Sequence, residues 1–577
     1  MTFGANLLGD GRTQFRLWAP AQESVSVALE DGPIVPMARS PDGWFEAVAA
    51  CSAGTRYRYR LADGTLVPDP ASRAQANDVH DPSVVIDPHS YAWRNTAWRG
   101  RPWHEAVLYE VHVGLLGGFN GVARELPRLA ALGITAVELM PVADFPGRRN
   151  WGYDGVLPYA PDAAYGSPDE LKALVDAAHD HGLMIFLDVV YNHFGPDGNY
   201  LSLYAPQFFR EDCHTPWGAA IDFHRPEVRE YFTQNVLYWL TEFRFDGLRF
   251  DAVHAIIDQG WIDEMAASVR TTIEPGRHVH LVLEHHNDAS HLEKDVDAQW
   301  NDDGHNVLHV LLTGENSGYY VDYAHRPADR LARCLADGFI YQGEQTQYTG
   351  EARGMPCAHL PPTAFVLFLQ NHDQIGNRAF GERLTTLVQP AALEAAIALQ
   401  ILCPQVPLLF MGEETASRTP FLFFTDHGPQ LADAVREGRR NEFAKFPVFA
   451  DPANRARIPD PNAPDTFAAS VPHADPERGA AREALYRQLL HVRASVIVPR
   501  LQGARAIAAK AVGPRAVMAR WQMGDGARLT LVANLGSEAV VIDAQEGELL
   551  FSNTPLSSGH LPGHCTCAYL DQVRAAP

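Results

Sequence analysis

The sequence predicts an α/β chain built on a (β/α)8 TIM barrel, flanked by an N-terminal β-sandwich and a small C-terminal β domain. Three observations predict it. Eight short apolar runs recur between residues 108 and 414, and amphipathic segments separate several of them. Polar, chemistry-bearing side chains gather at the C-terminal ends of those runs, the reaction face of a barrel. The stretches before and after alternate with a period of two. At 577 residues the chain is too long for one ordinary core. The units expected are residues 1–90, 91–497 and 498–577.

In residues 1–90, FRLWAP (15–20), SVSVALE (24–30), WFEAVAA (44–50) and RYRYRLA (56–62) read as strands broken by DG, GP and AG turns. That spacing suggests a small sandwich, with Trp18 and Trp44 expected mainly in its core rather than on a sugar-stacking face. The Pro-bearing stretch 67–88 reads as a linker. Barrel strands are predicted at LYEVHVG (108–114), AVELMPV (136–142), MIFLDVVYN (184–192) and GLRFDAV (247–253). The other four are HLVLEHH (280–286), AQWND (298–302), AFVLFLQNHD (364–373) and PLLFMGEE (407–414). Helices are expected at 122–133, at 167–182 with its Ser-Pro start, and at 226–243. No GxGxxG or GxxxxGK[ST] follows a strand, which argues against a nucleotide site. Residues 451–480 read as a surface excursion, 481–495 as a closing helix, and AVMARWQM, RLTLVANL and AVVIDA as strands of the last unit.

Lys+Arg 47 against Asp+Glu 70 gives a net charge of −23, which argues against nucleic acid and anionic membranes and suits an uncharged substrate. The seven cysteines are odd in number, scattered and without a CxxC pair, so neither zinc nor a disulfide framework is indicated. Without a signal-like start or a run of transmembrane length, the chain reads as cytoplasmic.

The chemistry centres on GLRFDAV (247–253). Arg249 and Asp251 share one face of a strand, so the arginine can hold the aspartate ionised, as a nucleophile needs. Glu284 ends the apolar run LVL, where like charges would favour the protonated form of a general acid, and Asp373 lies in NHD. Three carboxylates on one rim suit glycoside hydrolysis.

DVVYNH (188–193), GLRFDAVH (247–254), LVLEHHND (281–288) and FLQNHDQ (368–374) stand in order on successive predicted strands. With them the chain resembles the α-amylase-type glycoside hydrolases. The resemblance implies a retaining mechanism with Asp251 as nucleophile, Glu284 as acid/base and Asp373 as transition-state stabiliser. It also implies that His193, Arg249 and His372 line the −1 sugar site and that Tyr153 stacks on the sugar ring. GRRNWGYDG (147–155), 299–323, 370–384 and 419–427 look most similar to members that cleave the α-1,4 bond beside a terminal trehalose, with branching or debranching the alternative. The implied substrate is maltooligosyltrehalose, and an enzyme that forms the trehalosyl end is the implied functional partner. HH at 285–286 departs from the pattern on the product side.

In NDDGHN, Asn301, Asp302, Asp303 and His305 are expected by that resemblance to bind substrate beside the cleavage point, as are Gln374 and Asn377 of HDQIGN, and His254 is a further substrate-binding candidate. The competing reading of NDDGHN is a helix N-terminus. His305 and His309 are four apart without a third ligand, so no metal pair is assigned. HFGPDGNY (193–200) hints at a calcium loop with Asn192 as ligand, but lacks a carboxylate cluster. No cofactor and no obligatory calcium are expected.

Overall fold

The eight apolar runs fold as eight parallel strands of a closed barrel: β1 (Leu108–Val111), β2 (Ala136–Leu139), β3 (Met184–Val189), β4 (Gly247–Phe250), β5 (His280–Leu283), β6 (Ala298–Trp300), β7 (Phe365–Phe368) and β8 (Val406–Phe410). The structure, a computed structural model, describes residues 1–215, 218–557 and 559–572. Alternation sorts the side chains. Leu108, Ala136, Phe186, Val282, Trp300, Phe368 and Leu408 pack inside the barrel, while their neighbours Tyr109, Val137, Leu187, Leu281 and Leu409 face the surrounding helices. Gly247 makes room for this filling, since a Cβ there would stand 2.1 Å from the Phe186 ring.

The helices follow local signals. Pro168–Asp180 opens with Ser167, whose hydroxyl accepts from Glu170 N at 3.2 Å while Glu170 Oε2 accepts from Ser167 N at 2.8 Å. Helices Phe119–Leu132 and Pro226–Thr241 cover the predicted segments. The closing helix runs Gly479–Val492.

The N-terminal sandwich packs one sheet, containing Gly4–Leu7, Thr13–Trp18 and Trp44–Ala49, against a second built on Ser26–Leu29 and Arg56–Arg60. Trp18 is 5% exposed and Trp44 lies under the Arg16 guanidinium. The expected linker 67–88 is instead structural. Ser83–Val84 pairs with Arg56–Tyr57, and buried Asp69 accepts from the Tyr57 hydroxyl at 2.7 Å. Arg73 stacks over Tyr159 and Tyr238 of the barrel. Prolines set the turns of this stretch, but its polar groups are satisfied inside the protein, which a composition reading does not reveal.

Residues 451–480 likewise do not merely lie on the surface. Ser470 is buried and its hydroxyl accepts from Leu422 N at 3.0 Å, while Phe467 packs edge-on to Phe424. The C-terminal sheet orders Arg505–Gly513, Ala516–Gln522, Arg528–Asn534, Cys565–Asp571 and Glu548–Ser552.

Candidate active site

Continuing the inward alternation toward the C-terminal rim replaces apolar residues by Glu110 on β1, Glu138 on β2, Asp188 on β3 and Arg249 on β4, with Glu284 just beyond β5. Arg249, 1% exposed, is the hub. Its Nη1 donates to Asp188 Oδ2 at 2.6 Å and to Asp251 Oδ1 at 2.9 Å, and its Nη2 donates to Glu284 Oε2 at 2.5 Å. Its guanidinium carbon sits 4.0 Å from the centre of the Trp300 ring. One buried cation therefore gathers carboxylates from three strands.

The backbone helps. Ala252 takes a positive φ of 41°, and its N–H donates to Glu284 Oε2 at 3.0 Å. A non-glycine residue held there costs about 1–3 kcal/mol, a strain typical of functional sites. Among the described residues nothing donates to Glu284 Oε1, and the side chain keeps 23% exposure. Asn192 donates from Nδ2 to Asp251 Oδ2 at 2.9 Å. Its side chain is thus spent on Asp251 and on His193.

The protonation order differs from the sequence expectation. Burial pushes Asp251 up to about 6 despite Arg249, with the charge of Glu284 adding to the rise. Burial also raises Glu284, but Arg249, the Ala252 N–H and His254 outweigh it and leave it below the usual carboxylate range. A strand pattern shows Arg249 beside Asp251; it does not show that the same guanidinium also reaches Glu284.

Asp373 follows Asn371, whose side chain caps a short helix by accepting from Asp373 N at 2.9 Å. Burial pushes the Asp373 carboxyl up, and His372 opposes this. Asn377, exposed, donates from Nδ2 to Asp373 Oδ1 at 2.6 Å. Half-buried Gln374 keeps a buried Oε1 that has no hydrogen-bond partner among the described residues. The Tyr153 ring stacks on His372 at 5.0 Å and its hydroxyl donates to Asp188 at 2.7 Å. His193 engages Asn192 Oδ1 through Nδ1 and the Tyr153 carbonyl through Nε2, so it props the loop that carries Tyr153. His254 stacks on His286 with ring centres 3.6 Å apart, and burial lowers its pKa while Glu284 opposes the drop.

NDDGHN divides. Half-buried Asp302 belongs to the cleft: burial and then Glu284 push it up to about 7, with Asp373 also raising it and Arg353 opposing. Asn301, Asp303 and His305 do not line it. Asn301 caps helix Asp302–Thr313, accepting from Gly304 N at 3.1 Å and donating to the Gly338 carbonyl at 3.0 Å. Asp303 accepts from Asn287 Nδ2 and Ile340 N, both at 2.7 Å, and from the Tyr323 hydroxyl. His305 Nδ1 bonds the Leu369 carbonyl at 2.7 Å and Nε2 the Tyr320 hydroxyl at 3.2 Å. On a helix only one flank faces the cleft, so adjacent polar residues part ways.

Arg353 and Glu110 are cleft-side residues that the sequence reading did not single out. Arg353 reaches in from the loop before β7, donates to the Tyr323 hydroxyl at 3.1 Å and acts on Asp302 and His254. It sits in no motif, so nothing local marks it. Glu110 has a signal: a lone carboxylate at an inward position of an apolar strand.

Known proteins resemble this chain over most of its length. The family model "Alpha amylase, catalytic domain" matches residues 72–205, "Carbohydrate-binding module 48 (Isoamylase N-terminal domain)" matches 2–88, and "Domain of unknown function (DUF3459)" matches 504–567. The malto-oligosyltrehalose trehalohydrolase of Deinococcus radiodurans is 41% identical over 503 residues, 84% of this chain and 82% of the relative. A crystal structure of a provisionally assigned α-amylase from Salmonella typhimurium superposes with a TM-score of 0.94 at 44% identity, covering 99% of this chain and 100% of that one. A 1,4-α-glucan branching enzyme of Streptomyces coelicolor is 38% identical over 274 residues, but these span only 42% of this chain and 37% of that enzyme. The chain belongs to the malto-oligosyltrehalose trehalohydrolase family of α-amylase-type glycoside hydrolases.

Proposed function

We infer that the protein hydrolyses the α-1,4 bond next to the terminal trehalose of maltooligosyltrehalose and releases trehalose. The observation that carries this reading is the Arg249 hub, which draws Asp188, Asp251 and Glu284 together on the rim. Asp251 attacks the anomeric carbon of the −1 glucose, oriented by Asn192. The free site favours ionised Glu284, so the carboxyl must take up a proton as the sugar displaces water around it; it then delivers that proton through Oε1 to the departing glycosidic oxygen, and the trehalose leaves with its hydroxyl restored. Water then takes the aglycone's place, gives its proton back to Glu284 and hydrolyses the glycosyl–Asp251 ester with retention. Asp373 steadies the charge on the sugar, with Tyr153 and His372 beside its ring.

Selectivity for trehalose falls to Asp302, Gln374 and Arg353, whose polar atoms would be left unpaired by a plain glucan. The reading extends to a cytoplasmic protein with barrel unit 91–497, needing no calcium, that works after an enzyme forming the trehalosyl end. The test compares kcat/KM on a maltooligosaccharide with that on the same chain ending in trehalose. The trehalose-ended chain is expected to win by at least about tenfold, roughly 1.4 kcal/mol of transition-state binding. Equal rates would make the protein an amylase, and new α-1,6 branches a branching enzyme.

A further inference from the structure

Charge balance inside the barrel isolates one carboxylate from arginine. Arg249 spends its two outer nitrogens on Asp188, Asp251 and Glu284. Glu110, 1% exposed at the end of β1, receives nothing from that arginine. Both its oxygens turn instead to His372: Oε1 lies 2.5 Å from the ring Nδ1, and Oε2 accepts the His372 backbone N–H at 3.1 Å. Glu138 stands beside it in register on β2, fully buried, with neither carboxyl oxygen hydrogen-bonded among the described residues. A buried carboxylate without any donor is strongly disfavoured in its charged form, and burial, with the charge of Glu110, pushes Glu138 well above the usual carboxylate range. Among the described residues the one cationic partner in contact with the Glu110 carboxyl is His372.

We propose that Glu110 is a positioning residue that holds His372 as a cation, so that its Nε2–H is a fixed donor toward the −1 sugar. Nδ1–H points to Glu110, and the Tyr153 hydroxyl, 3.5 Å from Nδ1, is already given to Asp188. The other groups acting on the imidazole are His112 and Arg249, which oppose its charge, and Asp188, Asp251, Glu284 and Asp373, which favour it. Burial alone would strip the proton from His372; Glu110 reverses this and leaves the imidazole above its ordinary range. In this site a cation touching the sugar opposes oxocarbenium charge but binds a hydroxyl more strongly than a neutral donor does. The arrangement therefore favours anchoring the ring over stabilising its positive charge, a task left to Asp373.

The inference rests on the glycosidase reading for the sugar it addresses and for its kinetic arm, while the ion pair itself does not. Glu110→Gln keeps an amide oxygen that can accept from Nδ1 but removes the charge. The alkaline limb of kcat/KM is expected to move down by about one pH unit or more, with activity nearest the parent at the acid end. A uniform loss at every pH with the limb unmoved would overturn the proposal and leave Glu110 a structural bond. The second arm needs neither turnover nor a variant at Glu110: nitrogen-15 NMR of the intact protein, with the His372 signals assigned by their loss in His372→Gln. Both ring nitrogens protonated at pH 8 is the expected result, and a neutral tautomer there would refute the ion pair even if trehalose release were confirmed.

Discussion

Asp251 and Glu284 test the chemistry at the scale of single residues. Asp251→Asn removes the atom that forms the ester, and Glu284→Gln the proton that frees the aglycone. Each is expected to cut kcat by at least about a thousandfold while the thermal midpoint changes little. Both carboxylates share one guanidinium, so a crystal structure is expected to place them about 5–5.5 Å apart, with a retained anomer in NMR of the early product. Arg249 behaves differently, because its loss leaves three carboxylates buried together. Arg249→Ala is expected to destabilise by about 3–5 kcal/mol as well as abolish turnover, measured by denaturant unfolding.

Helix Asp302–Thr313 separates structure from selectivity at the scale of one element. Asn301→Ala removes the cap on Gly304 N and is expected to cost about 1 kcal/mol of stability while leaving the ratio of kcat/KM for trehalose-ended over plain chains unchanged. Asp302→Ala is expected to do the reverse, shrinking that ratio with the thermal midpoint held. Just past the same helix, Glu315 bonds His309 Nε2 at 2.8 Å and Arg378 Nη1 and Nη2 at 2.9 and 3.0 Å. The His309 bond, with Arg378, lowers its pKa to about 2. A depressed carboxylate stabilises fully above its ordinary value and loses that contribution as pH falls through the folded value. The gap in thermal midpoint between the parent and Glu315→Gln is therefore expected to be widest above pH 5 and to close toward pH 2.

At the scale of the whole molecule, the stretch 67–88 makes the sandwich part of the barrel's wall. Arg73 covers Tyr159 and Tyr238, the Tyr231 hydroxyl donates to the Pro70 carbonyl at 2.5 Å, and Trp18 packs on Phe208. A fragment starting at residue 91 would expose those aromatic rings. It is expected to bind a hydrophobic dye and to lose cooperative unfolding; a fragment with the parent's thermal midpoint would show that the sandwich is dispensable. Among the described residues, no helix is long and apolar enough to cross a membrane.

Short apolar runs between amphipathic segments are a local signal, and they mark all eight barrel strands and the rim on which Asp188, Arg249, Asp251, Glu284 and Asp373 stand. Capping chemistry is local too, so Ser167 and Asn301 could be read as helix starts before any fold was known. Contacts across the barrel are not local. That Arg249 binds Glu284 as well as Asp251, that Glu110 faces His372 across 262 positions of chain, and that Arg353 leans in from a loop all depend on closure of the sheet. The same holds for protonation: burial is a property of the assembled interior, so whether Asp251 or Glu284 keeps its charge is settled by desolvation and by the sharing of a single guanidinium, neither of which is written in the order of residues.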